Sequence, residues 1–305
     1  MLPSKQTLPK GLAIAAQSAE FWRRMAPELT ISDAQPRSTI SRQSDLAHKE
    51  MMALVNDGFL HLEQPGMEAD FALLATVVQR IVSAGLPPAF IGVYDEAWAL
   101  AGQLSEVLNV LFGGKAMMVP NFSASFSTHG DQGVPAHRRR PRQGVFADGR
   151  PKSVTVWMPL TRATARNGCV YAVPASQDRN YGKPDPARAD SSLLAIRALP
   201  AEPGDVLIWT GETYHWQART ARHHDDGPLT SLTWEFQSRD IAPLEGVLVD
   251  SYPYVPFETR LGILARQMPQ HTAEMTGNPV WRAVQMTLAN RYPLKSGGLR
   301  VNKFR

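Results

Sequence analysis

Cysteine is nearly absent from this chain: Cys169 is the only one among 305 residues. That excludes an internal disulfide framework and cysteine-built zinc sites, and it suits a reducing cytoplasm. Long apolar runs are missing too, since none reaches the roughly 18 residues a membrane span needs. There is no zinc-finger spacing, no Gly-rich phosphate loop and no basic–aromatic repeat, which speaks against nucleic acid as a partner. No internal repeat is visible. What remains is an ordinary globular composition, 43% hydrophobic and 20% charged with a formal net charge of +4. The N-terminus, MLPSKQTLPKGLAIAAQSAEF, has a short apolar patch with a polar, amphipathic continuation. It reads as a helix or ordered arm rather than a signal peptide.

The length allows one enlarged domain. A single elaborated domain over 1–305 is expected, with an arm at 1–45, helices at 46–114, a β core at 115–240 and a helical extension at 241–305. One helix should start at Ser44 or Asp45, either able to cap free amides, and stop at Gly58. Phe59, Leu60 and Leu62 form a short strand. The spacing predicts helices over Asp70–Ser83 and from about Glu96 to Phe112, the second stopped by Gly113-Gly114. After Lys115 come AMMVPNFSASFST, KSVTVWMPL, GCVYAVPAS, LLAIRALPA, GDVLIWTG and PLTSLTWEFQS, short β-rich segments separated by Gly, Pro, Asn or Asp. They suit a closed sheet or a two-sheet jelly roll. Asn167-Gly168 marks a tight turn, and the polar stretch 178–192 reads as a flap. Helical character returns after Tyr252, clearest in ETRLGILARQM.

Positive charge is concentrated locally. Arg138, Arg139, Arg140 and Arg142, followed by Arg150 and Lys152, make one basic region. Such a patch steers anionic ligands or forms a solvated loop whose arginines pair with nearby acids. Histidines stand at two places of interest: His137 inside VPAHRRRPR and His215 inside GDVLIWTGETYHWQ.

The stretches NDGFLHL, PPAFIGVYDEAWAL, DGRPKSVTVWMPLTRATARNGCVYAVPASQDRNYG, EPGDVLIWTGETYHW and SLTWEF carry a resemblance. Over most of residues 46–270 the chain resembles the phytanoyl-CoA dioxygenase family of iron- and 2-oxoglutarate-dependent oxygenases. The resemblance implies a mainly β fold with flanking helices, built on a double-stranded β-helix (jelly roll, cupin-like) core. It also implies Fe(II) held by an HxD pair and a distal histidine, with 2-oxoglutarate bound through an arginine farther on. Two imidazoles and a carboxylate leave three adjacent positions open on a ferrous ion. A guanidinium matches the cosubstrate's far carboxylate as a two-pronged fork.

Carried onto this sequence, the first histidine is His137 and the distal one His215. The metal-binding aspartate would stand at 139, where this chain has Arg139. The cosubstrate arginine would stand at 229, where it has Leu229. Both departures are at the charged positions. Arginine keeps its proton, so it cannot ligate a metal, and at ligand distance it repels Fe(II). Substitutes are conceivable: His129 and Asp131 form an HxD by themselves, and His223, His224, Asp225 and Asp226 make a metal-capable cluster read more simply as a polar loop. Asp148 is a further acid in the loop before the VTVWM strand. Arg219, Arg222 and Lys152 are alternative cations for a cosubstrate, each otherwise a surface charge. Trp157, Trp209, Trp216 and Trp234 lie on or beside core strands; Trp157 and Trp216 are taken as cavity residues.

Two readings follow. In the first, the fold has lost the usual chemistry and serves as a partner subunit, a binding protein for a small organic molecule, or a non-redox enzyme. In the second, it is an active Fe(II)/2-oxoglutarate dioxygenase that hydroxylates or desaturates a small substrate.

Overall fold

The computed structural model describes residues 15–32, 44–141, 143–183, 189–250, 255–267 and 279–294. Most of the N-terminal arm, Arg142, the middle of the 178–192 stretch and parts of the C-terminal extension lie outside the described residues. So do the side chains of Ser44 and Asp45.

The helices come first. α1 spans Ala19–Met25, α2 Ser44–Asp57, α3 Phe71–Ser83, α4 Asp95–Gln103 and α5 Ser105–Phe112. Asp70 caps α3 by accepting the Leu73 amide at 2.8 Å, satisfying one of the free donors of the first turn. The helix expected over 96–112 is two helices. The chain tightens at Leu104, whose amide bonds Ala101 three residues back at 3.3 Å. Gly102 weakens the helix just before the break, and the Leu104 side chain is fully buried, so the core holds the kink. Gly113, at φ 64°, ends α5 in the left-handed conformation that glycine adopts freely.

Among the described residues nine strands follow or interleave: β1 Phe59–Leu62, β2 Ala116–Ser127, β3 Val134–His137, β4 Ser153–Pro159, β5 Val170–Ala172, β6 Arg197–Leu199, β7 Val206–Thr210, β8 His215–Gln217 and β9 Leu229–Ser238. They make two antiparallel sheets. The larger has the order β1-β7-β4-β9-β2, and the smaller β3-β8-β5-β6. Helices α6 (Phe257–Gln267) and α7 (Pro279–Arg291) close the described chain. The helices carry more residues than the strands, so the fold is mixed rather than mainly β as the resemblance implied. No described helix is long and apolar enough to cross a membrane.

Period-two alternation gives the larger sheet two faces of different kinds. Val154, Val156, Met158, Val206, Ile208, Leu232 and Phe236 point to one face and join a single buried cluster with the helices, from Ala16 to Leu288. Trp157, Leu207, Trp209 and Leu229 point to the other and pack against Cys169, Val170, Ala172 and Leu199. β4 is buried at every position, with Ser153 and Thr155 alternating with Val154 and Val156 before the apolar Trp157 and Met158.

Two irregularities position the site. The β2–β9 register slips between Val119 and Phe122, where Pro120 has no amide to offer the ladder; a bulge is where a strand tolerates proline. Gln267 on α6 donates to the Pro120 carbonyl at 2.9 Å, so the bulge leaves that acceptor satisfied. At the start of β1, Gly58 has φ 75°, and a Cβ there would lie 2.9 Å from Thr213 Oγ1. Its carbonyl accepts the Thr213 hydroxyl at 2.6 Å and the Thr210 amide at 2.9 Å, which fixes the turn leading into β8.

Candidate functional site

The two histidines sit on the two short strands that sequence periodicity missed. In β3 and β8, His137 and His215 are direct partners across the ladder, and Ala172 on β5 stands opposite His215. Their rings lie 4.5 Å apart between centroids at 49°. β3, with Pro135 and a register slip within four residues, and β8, three residues with no β-branched side chain, carry too little pattern to read, and the 211–214 turn brings β8 back beside β3.

Both imidazoles are held in the same way. His137 Nδ1 donates to the Pro135 carbonyl at 2.8 Å, and His215 Nδ1 donates to the Thr213 carbonyl at 2.9 Å. A carbonyl can only accept, so each Nδ1 carries a proton and the Nε2 side is left as the variable one. Burial pushes His215 down to about 3, with His137 and Arg139 adding to the effect against the opposing Thr213 carbonyl. His215 is therefore neutral, with an Nε2 lone pair. The Trp209 ring lies 4.7 Å from it.

A cavity of about 320 Å³ separates the histidines from the larger sheet. Strand register organises its far wall. One row across the sheet runs Trp209, Thr155, Glu235; the next runs Leu207, Trp157, Thr233, Ser123; a third pairs Ser231 with Ser125. The hydroxyls of Ser125 and Ser231 are 2.7 Å apart. Trp157 and Trp216 both line the cavity, as does Trp209.

At the end of this wall is a charged network. Glu235 accepts from Asn121 Nδ2 at 2.7 Å, Arg139 Nε at 3.2 Å, Arg140 Nε at 2.6 Å and Arg140 Nη2 at 3.0 Å. Glu245 bonds Arg140 and lies 3.5 Å from Arg266 and 3.8 Å from Arg139. For Arg140, burial works against the charge but is outweighed by these two carboxylates, and its affinity for the proton is raised. Arg138 points elsewhere, into a buried pair with Asp178 whose side chains are 1% and 0% exposed, under the Tyr214 ring. The arginine run is thus not a solvated patch: three successive guanidinium groups each find an acid, at decreasing depth to the surface for Arg138, Arg140 and Arg139. Arg150 and Lys152 belong to a different place, beside the Phe146 ring, with Arg150 paired to Asp148.

The other candidates stay apart from the cavity. His129 stacks on His224 at 4.2 Å and donates Nε2 to its carbonyl at 3.0 Å. Asp131 accepts the Thr128 amide at 2.6 Å within the same turn. Neither His129 nor Asp131 lines the space shared by His137 and His215. Asp226 accepts from Thr164, in the turn where Asn167 also bonds Thr164 and Arg162. His223 and Asp225 are exposed beside them, as are Arg219 and Arg222. None of Arg219, Arg222 and Lys152 lines the cavity. Leu229 is fully buried in the apolar packing between the sheets.

The ferrous triad implied by the resemblance finds two of its donors here and not the third. Both imidazoles are oriented as metal ligands usually are, with Nδ1 anchored by a carbonyl. The third position holds Arg139, and the carboxylate nearest to it, Glu235, already accepts four hydrogen bonds. Among the described residues no three His, Cys, Asp or Glu side chains gather as a metal site. Leu229 itself offers no cation for a cosubstrate carboxylate. The residues present do not fit iron and 2-oxoglutarate.

Glu235, Glu245 and Asn121 were not singled out from sequence. A signal existed for Glu235: it falls in period with Leu229, Ser231 and Thr233 on the inward side of an otherwise uncharged strand, where a lone charge needs a partner.

Two antiparallel sheets facing each other describe the fold, and solved structures share it. The non-heme monooxygenase ThoJ, in apo form, matches with a TM-score of 0.52 at 14% identity over 79% of this chain and 100% of that one. The epimerase SnoN, in complex with Fe3+, alpha ketoglutarate and nogalamycin RO, gives 0.51 at 14% over 69% and 88%. EctD from S. alaskensis with 2-oxoglutarate and 5-hydroxyectoine gives 0.50 at 14% over 74% and 96%. At such identity the likeness is one of fold. In sequence, residues 93–220 match the family described as Phytanoyl-CoA dioxygenase (PhyH). No curated protein matches the chain.

Proposed function

We propose that this phytanoyl-CoA dioxygenase-like chain has given up iron and 2-oxoglutarate chemistry and uses its inter-sheet cavity to bind a small organic molecule. A protein partner or a non-redox reaction are the other uses of the same cavity. The observation that carries the reading is the Arg139–Glu235–Arg140 network, a positive side chain with its own carboxylate where a metal would need a free one. Bringing a divalent cation there means repulsion from two guanidinium groups, in surroundings that screen less well than water. Releasing Glu235 for the metal would break three hydrogen bonds from Arg139 and Arg140 and leave both to share Glu245, a change that costs less than the roughly 3–5 kcal/mol of a fully buried pair because Arg139 is partly exposed. We also propose one elaborated domain, supported by the single apolar cluster running from the first helix to the last. A closed double-stranded β-helix and a cytoplasmic setting complete the proposal.

The test is anaerobic titration with Fe(II) and 2-oxoglutarate, following visible absorbance and bound metal. The expected outcome is no stoichiometric iron and no charge-transfer band. One iron per chain with a band overturns the proposal and favours an active dioxygenase. That second reading has one observation on its side, the Nδ1 anchoring that leaves both Nε2 atoms unencumbered.

A further inference from the structure

We infer that the cavity takes a small aromatic monocarboxylate, its carboxylate held by Arg139 and its ring packed against Trp157 and Trp209. The inference rests on the loss of iron chemistry, because a resident metal would claim the same space.

Charge comes first. Three guanidinium groups, on Arg139, Arg140 and Arg266, share two carboxylates, on Glu235 and Glu245. One positive charge is left over within the network, and Arg139 is the member of the three that lines the cavity. A single negative charge balances it; a dianion would bring one uncompensated charge into a space poorly screened by water.

Hydrogen-bonding capacity points the same way. Arg140 uses Nε and Nη2 on its two acids. Arg139 makes one hydrogen bond, from Nε to Glu235, while its Nη2 stands 3.8 Å from Glu245, too far to count. The Nη donors of Arg139 thus have no acceptor among the described residues, and the side chain remains 30% exposed. A pair of Nη donors on a planar guanidinium is the geometry that grips a carboxylate with two parallel bonds. Glu235 also lines the cavity, but its four bonds from Asn121, Arg139 and Arg140 offset its repulsion of an anion.

Shape sets the rest of the ligand. At about 320 Å³ the cavity is at the small end of organic-ligand sites, which run from roughly 300 to 1,000 Å³. Trp157 and Trp209 on the larger sheet, with Val134 and Val170 on the smaller, give apolar surface on both sides. An aromatic ring fills such a slot with specific geometry, whereas an aliphatic chain forfeits the stacking contribution.

The full chain is titrated with benzoate, its neutral isostere benzamide, and the dianion phenyl phosphate, following tryptophan fluorescence and calorimetry. Benzoate is expected to saturate at one per chain with a dissociation constant below about 1 mM, and each comparison probe to bind at least tenfold more weakly. Arg139→Gln should weaken benzoate at least tenfold while leaving benzamide unchanged, and Arg139→Lys should fall between. Equal binding of benzoate and benzamide, or no saturable benzoate binding, overturns the inference in the unmodified protein, so it stands or falls even where Arg139→Gln does not fold. Retained benzoate affinity in a folded Arg139→Gln protein also overturns it. Fe(II) with 2-oxoglutarate is titrated separately: stoichiometric iron binding sinks the underlying reading, while failure of both iron and benzoate sinks this inference alone.

Discussion

The two faces of the larger sheet are made by the same strands and differ in everything but backbone. Toward the helices, Val154, Val156, Ile208, Leu232 and Phe236 pack without a charged group among them. Toward the smaller sheet, their immediate neighbours are Thr155, Trp157, Trp209, Thr233 and Glu235, arranged around a cavity. Moving one residue along β9 crosses from dense core to polar site. Stability and chemistry are therefore interleaved at period two, and substitutions one position apart should have quite different consequences.

The largest expected effect breaks the apolar face. Phe236→Ala, at a side chain 1% exposed, should lower unfolding free energy by about 3–5 kcal/mol, read as an earlier urea midpoint at unchanged slope. Thr233→Ala, three residues away on the cavity face, should cost less than about 1 kcal/mol. If the two midpoints move alike, the contrast between faces is wrong.

Next comes the charged end of the cavity face. Glu235→Ala removes the carboxylate shared by Arg139 and Arg140 and should cost about 3 kcal/mol, somewhat below the figure for fully buried pairs because Arg139 is partly exposed. A double-mutant cycle with Arg139→Ala should show coupling between the two; strict additivity would mean that Arg140 alone holds Glu235.

A smaller effect sharpens the comparison at the edge of the same sheet. Asp205 accepts the Gln64 and Glu202 amides, each at 2.9 Å, and contacts His61 at 3.1 Å. Burial raises its affinity for a proton, but these donors outweigh burial and the net shift is downward from 3.8. A carboxylate with a depressed folded value stabilises above its unfolded value and loses that contribution as pH falls through the folded one. Asp205→Asn should therefore cost about 1–2 kcal/mol at neutral pH and flatten the loss of stability below about pH 4. An unchanged acid limb would remove Asp205 from the account. Least of all, Asp148→Asn on the exposed pair with Arg150 should leave the melting midpoint where it was; a clear drop would mean this surface pair matters as the buried ones do.

Much of the architecture was legible because local signals were strong. The helix expected over Asp70–Ser83 is found at Phe71–Ser83 with Asp70 as its cap, and the β-rich runs after Lys115 appear where the pattern places them. Less was legible where tertiary contacts overrule local preference. The kink at Leu104 is held by burial, and β3 and β8 carry too little pattern to read. The basic run illustrates the limit most clearly: VPAHRRRPR reads as one patch, yet Arg138, Arg139 and Arg140 meet Asp178, Glu235 and Glu245, acids 40 to 106 residues further along the chain. No local rule connects them.

The sequence by itself determined the family likeness, the strand-rich middle and the two departures, Arg139 and Leu229, since residue identity decides whether a side chain can ligate a metal or grip a carboxylate. Only the tertiary structure decided what Arg139 does instead. An arginine's role depends on which acids the fold brings within hydrogen-bond reach, and β9 supplies Glu235 only once the β2 bulge and the sheet register have set that strand beside the cavity. A hydrogen-bonded ion pair acts through space and needs its two groups within about 4 Å, so it is fixed by folding and not by order along the chain.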